Sequence, residues 1–325
     1  MNKVCEILGI EYPILQGGMA RIADSSLASA VSNGGGFGII ASGGETGEWL
    51  REEIRKTREL TNKPFGVNLM LLSPNIDELV EIVCEEKIKA VTTGAGNPGK
   101  YMKKFAANGI TVIPVVASVA LARRVEKAGA AAVIAEGLEG GGHIGEMTTM
   151  ALVPMVVDAV SIPVVAAGGI GDGRGIAAAF MLGASAVQVG TRFLVANECT
   201  VSQNYKKAIL KAEDNDTCAT GRSTGHPVRV LKNKLAKKVL ALEKANADPE
   251  EIAALCTGRL WDAVKKGDMD MGSVMSGQIA GLVKKEQPAK DIIREMFEEA
   301  QKIYENRFDI CRTGSTVYGN GKKLV

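Results

Sequence analysis

Ala131-Ala-Val-Ile-Ala-Glu-Gly-Leu-Glu-Gly-Gly-Gly-His143 is an apolar run that opens into a glycine-rich loop and ends on a histidine. The run Ala131–Ala135 carries no polar residue, as a parallel strand covered on both faces requires. The loop that follows exposes bare backbone. It also holds one of only two histidines in the chain. The arrangement recurs along the sequence. Gln16-Gly-Gly-Met19 follows Tyr12–Gln16, and Ala41-Ser-Gly-Gly44 follows Gly36–Ile40. Thr92-Thr-Gly-Ala-Gly96 follows Ala90–Thr93, Gly168-Gly169 follows Pro163–Ala167, and Gly190-Thr191 follows Ala186–Val189. Phe65–Met70 and Thr111–Val116 complete eight predicted strands.

Helical patterns lie between these runs. Asp24 can cap a helix that runs to Asn33 and stops at Gly34-Gly35. Thr46–Thr61, Asn75–Lys87, Gly99–Asn108, Ser118–Ala128, Met150–Val160 and Asp172–Leu182 read as further helices. Strict alternation of strand and helix predicts an α/β fold, a (β/α)8 TIM barrel. An open doubly wound sheet would concentrate its glycines in the first strand-to-helix turn. Here they follow most strands, as the carboxyl rim of a barrel demands.

The alternation stops after Asn197. Residues 198–272 read as a charged helical insertion or lid without a convincing strand. Its helices are predicted at Asn204–Glu213, Arg229–Asn246 and Pro249–Lys266. The barrel resumes over 273–307, with its last helix at Ala289–Tyr304, so that 1–197 and 273–307 form the barrel domain. The tail, 308–325, has no periodicity and is expected to be loosely ordered.

Composition narrows the function. The length of 325 residues suits one barrel plus an insertion, and the 38 glycines serve as punctuation rather than low-complexity sequence. Few aromatics and a net charge of +2 argue against a stacking nucleic-acid binder. Cys5, Cys84, Cys199, Cys218, Cys256 and Cys311 form no C-x-x-C pair. That spacing fits neither a zinc site nor a disulfide framework, and reduced thiols in the cytoplasm are expected. No signal-length apolar segment opens the chain, and no membrane-length run follows.

Barrel enzymes place their sites at strand carboxyl ends, often with a phosphate pocket after the seventh and eighth strands. Gly168-Gly-Ile-Gly-Asp-Gly173 and Gly190-Thr191 stand at those two places. Bare amides there can reach phosphate oxygens. Gly17, Gly18 and Met19 can line a flat ring system, and Asn68 ends a strand on the same rim. His143 is the candidate acid or base, being able to exchange a proton near neutral pH. His226, in the insertion, reads either as a turn residue or as a group reaching over the rim.

These residues together resemble a known family. Tyr12-Pro-Ile-Leu-Gln-Gly-Gly-Met19, Lys63-Pro-Phe-Gly-Val-Asn-Leu-Met70, Val91-Thr-Thr-Gly-Ala-Gly-Asn-Pro98, Glu136–His143 and Gln188-Val-Gly-Thr-Arg192 look like the nitronate monooxygenase and flavin-dependent enoyl reductase superfamily. Ala117–Gly145, Gly225-His-Pro-Val-Arg229 with Lys232-Asn233, and Ser273–Glu286 are similar to the flavin-dependent enoyl-(acyl carrier protein) reductase II branch. The resemblance implies bound FMN reduced by NADH or NADPH. By motif position it places Gly17, Gly18, Met19, Asn68, Glu136, Gly141, Gly168, Gly169, Gln188, Gly190 and Thr191 against the flavin, and makes His143 catalytic. It implies a trans-2-enoyl thioester on an acyl carrier protein as substrate. It also raises a homodimer and activation by a monovalent cation, which the residues do not decide.

An acidic carrier could dock on Arg229, Lys232, Lys234, Lys237 and Lys238, although a solvated helix face explains the same charges. The rival activity is nitronate monooxygenase, with His143 as base. A nucleotide-oxidising barrel dehydrogenase would want a cysteine in a glycine-rich rim loop, where this chain has none. A flavin-binding scaffold without turnover is the reading outside enzymes.

Overall fold

The computed structural model describes residues 2–306 and the backbone of two short segments near the carboxyl end. Its strands up to residue 190 are β1 (Ile14–Gln16), β2 (Gly38–Ala41), β3 (Phe65–Met70), β4 (Ala90–Gly94), β5 (Thr111–Val116), β6 (Val133–Glu136), β7 (Gly142–His143), β8 (Val164–Ala167) and β9 (Ala186–Val189). All but β7 form one parallel sheet in the order β1-β9-β8-β6-β5-β4-β3-β2. The ring closes between β1 and β2. Gln16 N–H donates to Phe37 O (3.0 Å), Phe37 N–H donates to Ile14 O (2.9 Å), and Ile39 N–H donates to the Gln16 side-chain Oε1 (3.1 Å). The expected (β/α)8 barrel is therefore the observed fold.

Alternation along the strands sorts the core. Leu15, Ile39, Ile113, Ile134 and Val165 fill the barrel interior. Their neighbours Ile14, Ile40, Val112, Val133 and Val164 face the surrounding helices. Helix α1 (Lys3–Leu8) was not anticipated; its Val4 and Leu8 join the interior cluster. The outer helices are α2 (Ser25–Asn33), α3 (Gly47–Leu60), α4 (Ile76–Glu85), α5 (Met102–Ala107), α6 (Val119–Lys127), α7 (Thr149–Val157) and α8 (Gly173–Met181). Asp24 caps α2 as expected, accepting from Ser26 N–H and Leu27 N–H.

The insertion holds α9 (Gln203–Lys211), α10 (Lys234–Lys244), α11 (Pro249–Cys256) and the short α12 (Arg259–Trp261). It also holds β10 (Thr217–Thr220) and β11 (Val228–Leu231), two strands that the sequence reading left out. They pair antiparallel, and β11 pairs in turn with β7. The predicted helix Arg229–Asn246 is corrected accordingly. Its first residues are strand, and the helix starts only after Asn233, whose side chain accepts from Ala236 N–H. The predicted helix at 249–266 is broken by Gly258, which adopts a left-handed φ of 76°. Helix α13 (Ala289–Glu305) then packs against α8 and α2, in the place of the barrel's last helix. No helix among the described residues is long and apolar enough to cross a membrane.

Cys5, Cys84, Cys199, Cys218 and Cys256 are free thiols, whereas Cys311 lies outside the described residues. So does the 308–325 tail, apart from a two-residue pairing of Tyr318–Gly319 with Lys322–Lys323.

Candidate active site

The carboxyl ends of the strands surround a cavity of about 410 Å³. Each residue that the sequence placed in the site lines it: Gly17, Gly18, Met19, Asn68, Glu136, Gly141, His143, Gly168, Gly169, Gln188, Gly190 and Thr191.

Close backbone approach explains several glycines. Gly17 N–H donates to Val189 O (2.8 Å), tying the first loop to β9. A side chain at Gly18 would collide with Asn68, whose Nδ2 donates to Thr92 Oγ1 (2.9 Å). Gly168 and Gly169 adopt φ of 87° and 71°, a region that L side chains rarely enter. Gly190 and Thr191 open the turn of 3₁₀ helix Thr191–Val195. A Cβ at Gly141 would stand 2.7 Å from Gly277 N, because the segment from Met275 to Ile279 returns from the insertion to wall the cavity.

The loop carrying His143 is clamped on three sides. Thr149 N–H donates to both Glu139 oxygens (3.0 Å each), and Gln278 N–H donates to Glu139 O (2.9 Å). Arg229 Nε donates to Leu138 O (3.0 Å). Strand pairing sets His143 opposite Val228 of β11. The ring keeps an accessible face toward the cavity, while the surrounding protein and the nearby His226 hold its pKa below the usual value. His143 is thus a neutral imidazole at pH 7, with one N–H to donate and one nitrogen to accept.

Glu136 ends β6, and burial pushes its carboxyl up from 4.5 to about 7. A raised carboxyl destabilises the fold as pH climbs, because the unfolded chain ionises first. In flavin-free protein the cost grows between pH 4.5 and about 7. The Glu136→Gln variant is therefore expected to match the parent at pH 4 and to exceed it above pH 7 by up to about 3 kcal/mol in urea unfolding.

The structure corrects two readings. Gly171 and Gly173 of the predicted phosphate loop do not line the cavity. A Cβ at Gly171 would press on Ile279 (3.2 Å), and one at Gly173 would strike Ala300 N (2.5 Å) of α13, so both serve packing. Among the five cations of the proposed carrier-docking cluster, Arg229 is buried against Leu138 O and Lys234 is paired with Asp270 (2.7 Å). Lys232, Lys234, Lys237 and Lys238 are exposed. Glu139, Met275 and Gly277 line the cavity without having been singled out as site residues. The last two fall in the Ser273–Glu286 stretch that carried the resemblance, which was their only signal.

The cavity fits a flavin mononucleotide on two counts. Gln188 Oε1 is buried without a hydrogen-bond partner among the described residues, an acceptor awaiting a donor. A Cβ on Gly94 would meet nothing within 4 Å, so bare backbone borders open space there.

A barrel whose glycine turns, raised carboxyl and neutral histidine converge on one mouth has the layout of a cofactor-using barrel enzyme. Comparison with known proteins defines it further. The nitronate monooxygenase family model matches residues 2–79 and 70–299, and the chain belongs to that family. FabK from Thermotoga maritima superposes with a TM-score of 0.92 at 51% identity, covering 94% of this chain and 97% of that one. A probable nitronate monooxygenase of Staphylococcus saprophyticus is 34% identical, covering 93% of this chain and 98% of that protein. A Rhodococcus jostii (3aS,4S,5R,7aS)-5-hydroxy-7a-methyl-1-oxo-octahydro-1H-indene-4-carboxyl-CoA dehydrogenase is 36% identical, covering 83% of this chain and 78% of that protein.

Proposed function

We propose that this protein reduces trans-2-enoyl-(acyl carrier protein) thioesters with NADH or NADPH through bound FMN, in the last step of the fatty acid elongation cycle. One observation carries the reading: the glycine turns after β8 and β9 share a single cavity with His143. Three further facts support it. The sequence motifs resemble the reductase II branch. The fold is similar to that of FabK from Thermotoga maritima over 94% of this chain. The Rhodococcus relative is named for a CoA thioester.

Gly168, Gly169, Gly190 and Thr191 would hold the phosphate, and Gly17, Gly18, Met19, Asn68, Glu136, Gly141 and Gln188 the ring system. When bound there, FMN supplies hydride chemistry in two half-reactions, between a nicotinamide and the β-carbon of the enoyl thioester. The protein's own part is positioning and charge. Negative charge develops on the thioester oxygen as the β-carbon is reduced, and a preorganised donor lowers that barrier. A neutral His143 would offer such an N–H, from a backbone position set by the β7–β11 pairing.

The lowered pKa of His143 also suits a base that deprotonates a nitroalkane, which keeps nitronate oxidation as the second reading. The two part in one assay. Anaerobic NADH or NADPH oxidation driven by crotonyl thioester is expected, without oxygen uptake on a nitronate. Oxygen uptake with the nitronate and no response to the thioester would reverse the assignment.

A further inference from the structure

A second cavity, of about 490 Å³, adjoins the first at His143 and Met275, which line both. Every other residue lining it comes from the insertion or the start of the segment that follows. Its walls obey the periods of their elements. On β11, Val228 and Val230 face the cavity, while Arg229 between them turns away to Leu138 O. On α10, Leu235 and Val239 are one turn apart on the facing side. On α11, Ile252 and Cys256 repeat that spacing.

The insertion has only a small core of its own, Leu235, Val239 and Ile252, separate from the core of the barrel. The apolar faces of two helices and a strand thus surround a space as well as one another. Such a face is kept open where an apolar ligand covers it. The one amide in the wall is already used. Asn233 Nδ2 donates to Met269 O (2.9 Å) and Gly272 O (2.7 Å), and its Oδ1 accepts from Ala236 N–H (2.9 Å).

The geometry points to this cavity as the site of the substrate's hydrocarbon chain, beyond the two carbons that react beside His143. The inference rests on the enoyl reductase reading and names its substrate class, linear acyl thioesters long enough to reach α11. Charge decides against the other long molecules of the reaction. A nicotinamide dinucleotide and a phosphopantetheine arm both carry phosphates, yet among the described residues no Lys or Arg lines the space and Glu250 does. A hydrocarbon asks for no polar partner.

The test uses the flavin-loaded protein and the Ala253→Phe variant. Ala253 lines the cavity from an accessible position on α11, so the larger side chain narrows the space without displacing the core. Turnover of trans-2-dodecenoyl thioester is expected to lose about fourfold in kcat/KM for each methylene excluded, chiefly in KM. Crotonyl thioester, too short to reach α11, should keep its parental value. Equal effects on both substrates, or none on either, would overturn the site and leave the reductase assignment standing.

Cys256 gives a readout independent of turnover. It is a free thiol in the cavity wall, and its alkylation by N-ethylmaleimide can be followed by mass spectrometry. Dodecanoyl thioester should slow that alkylation, and butyryl thioester should not. Protection by NADPH, or none by the long chain, would assign the space to something else. If the parent reduced no enoyl thioester at all, the function would fall, and Cys256 protection would still decide whether the cavity takes a long acyl chain.

Discussion

His143→Ala protein is expected to stay yellow and to lose about a hundredfold to ten-thousandfold in kcat/KM for an enoyl thioester. The retained flavin follows from the layout. His143 sits on β7, whereas the glycine turns that would hold the phosphate follow β8 and β9. The loop that carries it is held by Glu139, Arg229 and Gln278 rather than by the imidazole. The loss therefore reports chemistry and not collapse of the site. Its pH dependence separates two roles. The pKa lies below the usual 6.5, so the ring is neutral from pH 7 upward. If the neutral N–H polarises the thioester, activity should hold from pH 7 to about pH 8 and fall on the acid side as imidazolium forms. A rate that declined steadily from pH 6 upward would instead mark imidazolium as the proton source. A flavin-replete His143→Ala enzyme with parental kcat/KM would remove this residue from the mechanism.

Gly190→Asp is expected to fold and to purify colourless, with FMN affinity reduced by about a hundredfold or more. The backbone tolerates the side chain. Gly190 has a φ of −109°, and a Cβ there would stand 3.6 Å from Met19 Sδ, an ordinary contact. The carboxylate, however, would enter the turn between β9 and the 3₁₀ helix from Thr191, where the proposed phosphate would lie. Like charges at hydrogen-bonding range in a walled cavity repel strongly. Fluorescence titration with FMN reads the affinity, and the unfolding midpoint reads the fold. Undiminished FMN affinity would move the phosphate away from this turn.

The strands were legible because each is a short, largely apolar run, most of them followed by a glycine-rich loop. Phe65–Met70, Thr111–Val116 and Ala186–Val189 were read to the residue. The rim was legible for the same reason, since a carboxyl-end loop in a barrel has one place to go. Two features escaped for definite physical reasons. Leu231, Leu235 and Val239 recur every fourth residue, so β11 and α10 read as a single helix. Only pairing with Gly142 and His143, far back in the chain, makes Val228–Leu231 a strand. Gly171 and Gly173 look like phosphate-turn glycines in sequence. Their role comes from Ile279 and from α13, elements that no local pattern connects to them. The burial of Arg229 has the same origin, because the alternation of β11 points it into the protein, away from solvent.

The central claim is one flavin at the carboxyl mouth of the barrel, beside His143. A crystal structure of the protein loaded with FMN tests it most directly. The expected result is phosphate density within hydrogen-bonding distance of main-chain amides at Gly169 and Gly190, with the ring lying between Gly17–Met19 and His143. Phosphate density elsewhere on the rim, or a ring that leaves His143 out of reach, would contradict the account.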